Sequence, residues 1–156
     1  NDAFGASITS SFKVSNLNID DNKNYFILAA KHNAYENNFG YSHQRIIKID
    51  KKNNNLFGTD KLISIKEDKK LSNIYNIRFH LYPGISAVQT MGKSSILIQI
   101  EKNKSLIFAS NAENLILEKS IFLGRNQIIN NFCITISGSL NDGENKSITW
   151  ELKKNN

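Results

Sequence analysis

The sequence predicts an all-β protein, an antiparallel β-sandwich of about ten short strands. Three observations predict it. First, apolar residues recur with a period of two. In the segment from Tyr75 to Tyr82, the residues Tyr75, Ile77, Phe79 and Leu81 alternate with Asn76, Arg78, His80 and Tyr82, which sorts them onto opposite sheet faces. The pattern repeats at Ile96, Ile98 and Ile100, at Phe132, Ile134 and Ile136, and at Ile148, Trp150 and Leu152. Second, the alternating runs are rich in Ile, whose branched side chain loses less χ1 freedom in a strand than in a helix. Third, turn signals separate the runs at short intervals, as in sandwiches and barrels. No segment carries a helical stripe over the roughly 11 residues that such a stripe needs.

In chain order, strands are expected near Ala6–Val14, Tyr25–His32, His43–Asp50, Lys61–Lys66, Tyr75–Tyr82, Ser95–Glu101, Ser105–Ser110, Leu115–Leu123, Gln127–Ser137 and Ser147–Lys153. Turns rich in Asn, Asp, Lys, Gly or Pro are expected at Asp20–Asn24, Lys51–Asn55, Glu67–Lys70, Pro83–Gly84, Glu101–Lys104 and Asn141–Asn145. The Asn- and Lys-rich run at Lys51–Asn55 reads as a hairpin turn rather than disorder. Phe122, Phe132 and Trp150 lie within alternating strands and are core candidates.

Length and composition fit one sandwich domain over residues 1–156. A chain of this size buries roughly 70% of the surface that it exposes when unfolded, enough for a core without staples. Hydrophobic residues make up 40% of the sequence, and the net charge is +6. The basic excess is almost all Lys, with Arg only at Arg45, Arg78 and Arg125. Such an excess suits acidic partners in general, and a solvated basic surface is the plain alternative. Lys51–Lys52 and Lys69–Lys70 fall at turns. Nucleic-acid binding would need a larger basic patch interleaved with aromatics, so no such partner is expected. The one cysteine, Cys133, sits in an alternating apolar run and reads as a small buried hydrophobe. No apolar run approaches the roughly 18 residues of a membrane-spanning helix. The opening residues, Asn1 to Gly5, are neither basic nor apolar, and no initiator Met begins the chain. It reads as a piece of something longer.

Several chemistries find no motif. Neither a Walker pattern nor G-x-G-x-x-G occurs, and G-x-S-x-G is absent. One Cys and three His cannot make the C-x-x-C spacings of zinc sites. The histidines carry what remains. His32 ends one expected strand and His43 starts the next, so a hairpin would bring their imidazoles together at its mouth. Such a pair suits half a metal site or an acid/base pair near a cleft, and loop hydrogen bonding without chemistry is the competing reading. His80 shares a strand face with Arg78 and Tyr82. That stripe suits a sugar-binding groove, because guanidinium pairs with carboxylates and aromatic rings stack on apolar ring faces. A packed second sheet face with satisfied polar groups is the alternative. Tyr35 and Tyr41, in the loop between His32 and His43, read as amphipathic plugs.

The order of short motifs resembles a known family. Ala30-Lys-His-Asn-Ala-Tyr35, followed by Phe39-Gly-Tyr-Ser-His-Gln-Arg45, is similar to A-x-H-D-G-Y … G-x-x-H-R-R. Leu56–Leu62 is similar to L-x-G-x-D-x-L, and Arg78–Gly84 to R-F-H-L-H-P-G followed by a short strand. Leu117–Gly124 is similar to L-E-E-S-V-Y-L-G, and Ser147–Lys154 to V-x-W-x-L-x-R. Together, from about His32 to the end, they resemble the C-terminal part of heparinase II/III-like proteins. Asn33-Ala34 replaces the usual Asp-Gly, Gln44 replaces an Arg, and Tyr82 replaces the second His of H-x-H-P.

The resemblance implies an α/α toroid upstream of antiparallel sheets, in lyases that cleave uronic-acid polysaccharides by β-elimination. A base takes the proton α to the carboxylate, and positive or hydrogen-bonding groups stabilise the enolate-like anion. The family's reacting groups lie on the toroid and in G-H-x-H/A-D and A-H-N-T motifs, which this sequence lacks. No catalytic residue is therefore assigned to this chain, and no metal or cofactor is expected in it. Zinc or another divalent metal is expected only in the absent upstream part. His32, His43, Arg45, Arg78 and His80 are the candidates for a substrate-cleft wall. The expected partners are an acidic polysaccharide and the toroid, and the resemblance implies a periplasmic location, with the cytoplasm as the alternative. Two rival functions remain: a stand-alone carbohydrate-binding module, and a structural or adhesive β-domain.

Overall fold

A computed structural model describes residues 11–65, 73–124, 127–141 and 143–155. Within them the chain forms eleven strands and one short helix: β1 (Val14–Asp21), β2 (Tyr25–His32), α1 (Glu36–Phe39), β3 (Tyr41–Asp50), β4 (Asn55–Ser64), β5 (Asn73–His80), β6 (Ser86–Gln89), β7 (Ser95–Glu101), β8 (Lys104–Ser110), β9 (Asn114–Gly124), β10 (Gln127–Leu140) and β11 (Lys146–Asn155). All pairings are antiparallel. One sheet runs in the order β1-β2-β3-β4-β11-β8-β7-β6, and the other in the order β5-β10-β9. The predicted sandwich is therefore the observed fold.

The core lies where the small sheet covers the large one. Tyr41, Leu62, Ile96, Ile98, Phe108, Ile148 and Trp150 come from the large sheet, and Tyr75, Ile134, Ile136 and Leu140 from the small one. Burying an Ile or Phe side chain contributes about 1.5–3 kcal/mol, so this cluster is the main source of stability. Phe79 bridges the two layers, with its ring centroid 5.0 Å from Phe108 and 4.8 Å from Trp150. Strand β11 is laid between β4 and β8, so the last strand joins the two meanders of the large sheet. No helix here is long and apolar enough to cross a membrane.

The differences from the sequence reading have physical causes. Most of the strand expected at Ala6–Val14 and the turn at Glu67–Lys70 lie outside the described residues. Strand β1 occupies Val14–Asp21, a run of mixed polar and apolar residues exposed throughout, because pairing with β2 supplies its backbone partners. Strand β4 starts at Asn55 rather than Lys61, since Leu56–Asp60 pairs with both β3 and β11 despite containing Gly58 and Asp60. The short β6 and the single turn of α1 are too brief to show a period. Phe122 is a correction. It points away from the core and is 36% exposed, because its position on β9 has the opposite parity to the inward Leu115 and Leu117. Phe132 is half-buried, while Trp150 and Cys133 are buried as expected.

Candidate functional site

The strands β2, β3 and β4 bring the site together through their register. His32 lies opposite His43, and Arg45 lies opposite Asp60. Residues two apart on a strand share a face, so His43 and Arg45 point the same way, towards the small sheet. Trp150 lies opposite Gly58 on the neighbouring pair, and it reaches Asp60 from the core side.

Asp60 is the centre of this arrangement, with its side chain fully buried. Its Oδ1 accepts from His43 Nε2 at 2.6 Å and from Arg45 Nε at 2.7 Å. Its Oδ2 accepts from Trp150 Nε1 at 2.8 Å and from Arg45 Nη2 at 3.2 Å. Burial pushes this carboxyl upward and is the largest single influence. The bonds from His43, Arg45 and Trp150, with the charge of Arg45, together outweigh it and hold the group below its ordinary value. Asp60 is therefore an ionised carboxylate, paired in the interior with a bidentate guanidinium.

The imidazoles continue the network outward. His43 Nδ1 lies 2.9 Å from His32 Nε2, and the Ala34 backbone N–H donates to His32 Nδ1 at 3.3 Å. That backbone donor assigns every proton. His32 carries its hydrogen on Nε2 and donates to a bare Nδ1 on His43, whose Nε2–H then points at Asp60. All four ring nitrogens are engaged, and none has a lone pair free for a substrate proton. Desolvation, followed by the influence of His43 and Arg45, pushes the His32 pKa down, in keeping with this neutral ring. The arrangement matches neither the acid/base pair nor half a metal site. The ring nitrogens face one another in a line instead of converging on a point, so these residues do not fit a metal. Among the described residues no group of three or more His, Cys, Asp or Glu is placed to hold one.

Beside this network, between β3 and the edge strand β5, lies a pocket of about 500 Å³. Its volume is within the range of small-molecule sites. Arg45 and Arg78 line it from the two sheets, with Tyr35, Phe39 and Tyr41 supplying apolar ring surface. The turn of α1 makes this possible. Gly40 ends the turn at φ 74°, a left-handed conformation in which a Cβ would be strained, and its N–H closes the turn on the Glu36 carbonyl. The tight reversal swings Tyr35 into edge contact with His32 at 5.2 Å and with Phe39 at 6.2 Å. The Tyr41 hydroxyl donates to the Asn141 carbonyl, which agrees with its reading as a plug. Arg45 is 37% exposed. With Nε and Nη2 committed to Asp60, its Nη1 remains for an acceptor in the pocket.

Of the five sequence candidates, His32, His43, Arg45 and Arg78 line this pocket. His80 does not. It lies on the outer face of the small sheet, where its Nδ1 is 3.3 Å from Ser120 Oγ. The sequence reading missed Asp60 as a site residue and took Trp150 as core alone. A signal for Asp60 existed, since alternation from Leu56 to Leu62 puts a carboxylate on an apolar row, where a charge must be paired.

The chain matches the family described as heparinase II/III-like, C-terminal, over residues 6–151, and it belongs to that family. It is similar in structure to the heparan sulfate lyase HepC from Pedobacter heparinus, with TM-score 0.74, 13% identity, and coverage of 91% of this chain and 22% of that one. It is also similar to the heparinase III BT4657 gene product, with TM-score 0.71, 9% identity, and coverage of 95% and 22%. A third, a heparinase III, gives TM-score 0.69, 14% identity, and coverage of 92% and 21%. At these identities the likeness shows the fold alone, and the chain spans about a fifth of each neighbour's length. No curated protein matches the chain.

Proposed function

We propose that this chain is one wall of the substrate cleft in a polysaccharide lyase that cleaves uronic-acid-containing polysaccharides by β-elimination. It anchors the acidic sugar and supplies none of the reacting groups. The carrying observation is the Arg45 guanidinium, clamped by Asp60, in an aromatic-lined pocket that Arg78 also borders. Guanidinium meets carboxylate in a planar fork, and aromatic rings suit the apolar faces of sugars. Arg45 is already clamped by Asp60, so little side-chain freedom is lost when it binds. Neutralising the uronate carboxylate also favours loss of the neighbouring proton, because charge accumulates on that group as the proton leaves.

In this reading His32 and His43 are positioning residues that hold Asp60, and through it Arg45. The base and acid come from the rest of a longer protein, an α/α toroid preceding this single sandwich domain. Any zinc or other divalent metal belongs there as well, and the whole protein works in the periplasm. The family membership and the lyase neighbours support the reading. The test is to incubate the chain alone with uronate polysaccharides and follow the ultraviolet absorbance of unsaturated uronate. No signal is expected. Sustained turnover by this chain would overturn the assignment of the chemistry to other residues.

A further inference from the structure

The hydrogen bonds of the two imidazoles leave one place for a further proton, and that place touches the wall of the pocket. The row from Ala34 to Asp60 contains four ring nitrogens. In the neutral row one hydrogen lies between His32 Nε2 and His43 Nδ1, and another lies on His43 Nε2 against Asp60 Oδ1. The 2.9 Å gap between the rings has room for a single hydrogen. A third hydrogen therefore goes to His32 Nδ1, whichever ring carries the positive charge. That nitrogen is the acceptor of the Ala34 N–H at 3.3 Å. Once it is protonated, two N–H groups face each other and the bond is lost.

That bond holds the turn that carries Tyr35. The Glu36 N–H closes on the Asn33 carbonyl at 3.1 Å, which makes Ala34 and Tyr35 the two central residues of a β-turn. Tyr35 has φ −101° and ψ −2°, the conformation of the third residue of a type I turn. Asn33 is pinned separately. Its N–H donates to the Lys13 carbonyl at 3.3 Å, and its Oδ1 accepts from the Lys13 N–H at 2.8 Å. Ala34 is thus the joint at which the turn meets the imidazole row. Tyr35 follows it directly, is 45% exposed, and packs its ring edge-on against His32 in the pocket wall.

The groups around the pair set where the third hydrogen enters. Arg45 stands beside His43 on β3, Asp60 bonds the pair from β4, and Arg78 borders the pocket from β5. Tyr35 and Tyr41 border it too, and α1 carries Glu36 in its turn. The segment leading into β1 brings the Phe12 ring, 5.7 Å from His32. The guanidinium groups oppose an added proton, and Asp60 favours one. Desolvation, then His43 and Arg45, push His32 below its ordinary 6.5, so the change falls on the acid side of that value.

We infer that the contact between His32 and Ala34 is a proton-operated latch on the pocket: the neutral imidazole pair holds Tyr35 in the wall, and a third hydrogen on the pair releases it and weakens binding there. The identity of the ligand rests on the proposed function, whereas the latch does not.

Nitrogen-15 NMR of the ligand-free chain tests the latch directly. As pH falls from about 8 to 5, across the imidazole range, His32 Nδ1 should gain its hydrogen. The Ala34 amide and the Tyr35 ring signals should move with the same midpoint. Ala34→Pro deletes the N–H at the second position of a type I turn, which proline fits, and should raise that midpoint, because the neutral Nδ1 loses its donor. Calorimetry with a uronate oligosaccharide then reads the pocket. Its carboxylates titrate near about pH 4 and stay ionised over this range. Affinity should fall about threefold to tenfold through the midpoint, the worth of an aromatic contact, and His32→Gln should abolish the step. An Ala34 amide that does not titrate with the pair, or an unmoved midpoint in a folded Ala34→Pro, would overturn the latch. Affinity that stays level or rises while the amide titrates would overturn its control of the pocket. Absence of oligosaccharide binding at every pH would count against the proposed function, and the amide titration would still decide the latch.

Discussion

The indole Nε1–H of Trp150 donates to Asp60 Oδ2 at 2.8 Å, joining residues 90 positions apart in the chain. The contact ties the hydrophobic core to the polar site. Trp150 packs against Phe79 on the side of the small sheet, and its polar edge completes the shell around a carboxylate that also holds Arg45 and His43. The core therefore sets where the Arg45 guanidinium stands.

Asp60→Asn should be costly. Removing one partner of a buried ion pair leaves the other uncompensated, at about 3–5 kcal/mol. Arg45 is partly exposed and can turn to water, so a loss near the lower end, about 3 kcal/mol, is expected. Chemical denaturation monitored by circular dichroism measures it. A loss no larger than that of a surface substitution would show that Asp60 does not organise the site.

Gly58→Ala tests the contact from the other side. A Cβ at Gly58 would stand 2.0 Å from Cε2 and Cζ2 of Trp150, so the indole must move. Overpacking of this kind costs about 1–3 kcal/mol. Trp150 is the sole tryptophan, and its fluorescence reports directly. The expected result is a red-shifted emission together with weaker binding in the pocket, because the displaced indole releases Asp60.

Much of this was legible in the chain. The alternation at Tyr75–Leu81, Phe132–Ile136 and Ile148–Leu152 gives the two sheets and their inward faces, because side chains on a pleated strand must alternate. The proximity of His32 and His43 follows from hairpin geometry alone. Three features were not legible, for different reasons. Parity on β9 reverses the expectation for Phe122, and parity is set by register across strands rather than by local composition. The role of Asp60 needs β3, β4 and β11 side by side, and β11 arrives from the far end of the chain. His80 shares a face of β5 with Arg78, so its separation depends on position along the strand: the pocket borders β5 only from Ile74 to Arg78, a limit that no local pattern reveals.

Stability should depend on pH in two windows. The folded pKa of His32 lies below its ordinary value of 6.5. Between the two values the unfolded chain binds more protons, so this contribution is full above about pH 6.5 and is lost as pH falls through the folded value. Asp60 is also held below its ordinary 3.8, so its contribution is full above about pH 4 and is lost on further acidification. Denaturation free energies measured across pH 3 to 8 should show both steps, and His32→Gln should remove the upper one alone. A flat profile between about pH 5 and 7 in wild type would contradict the neutral His32 ring.

The most direct test of the central claim compares two ligands that differ only in charge: a uronate oligosaccharide, and the same oligosaccharide with its carboxylates reduced to alcohols. The clamped guanidinium predicts that wild type prefers the acidic form by about tenfold or more, the worth of a charge-assisted hydrogen bond of roughly 1.5 kcal/mol or above. Pocket binding in Arg45→Ala should lose most of that preference. Equal affinity of the wild-type pocket for both ligands would contradict the account.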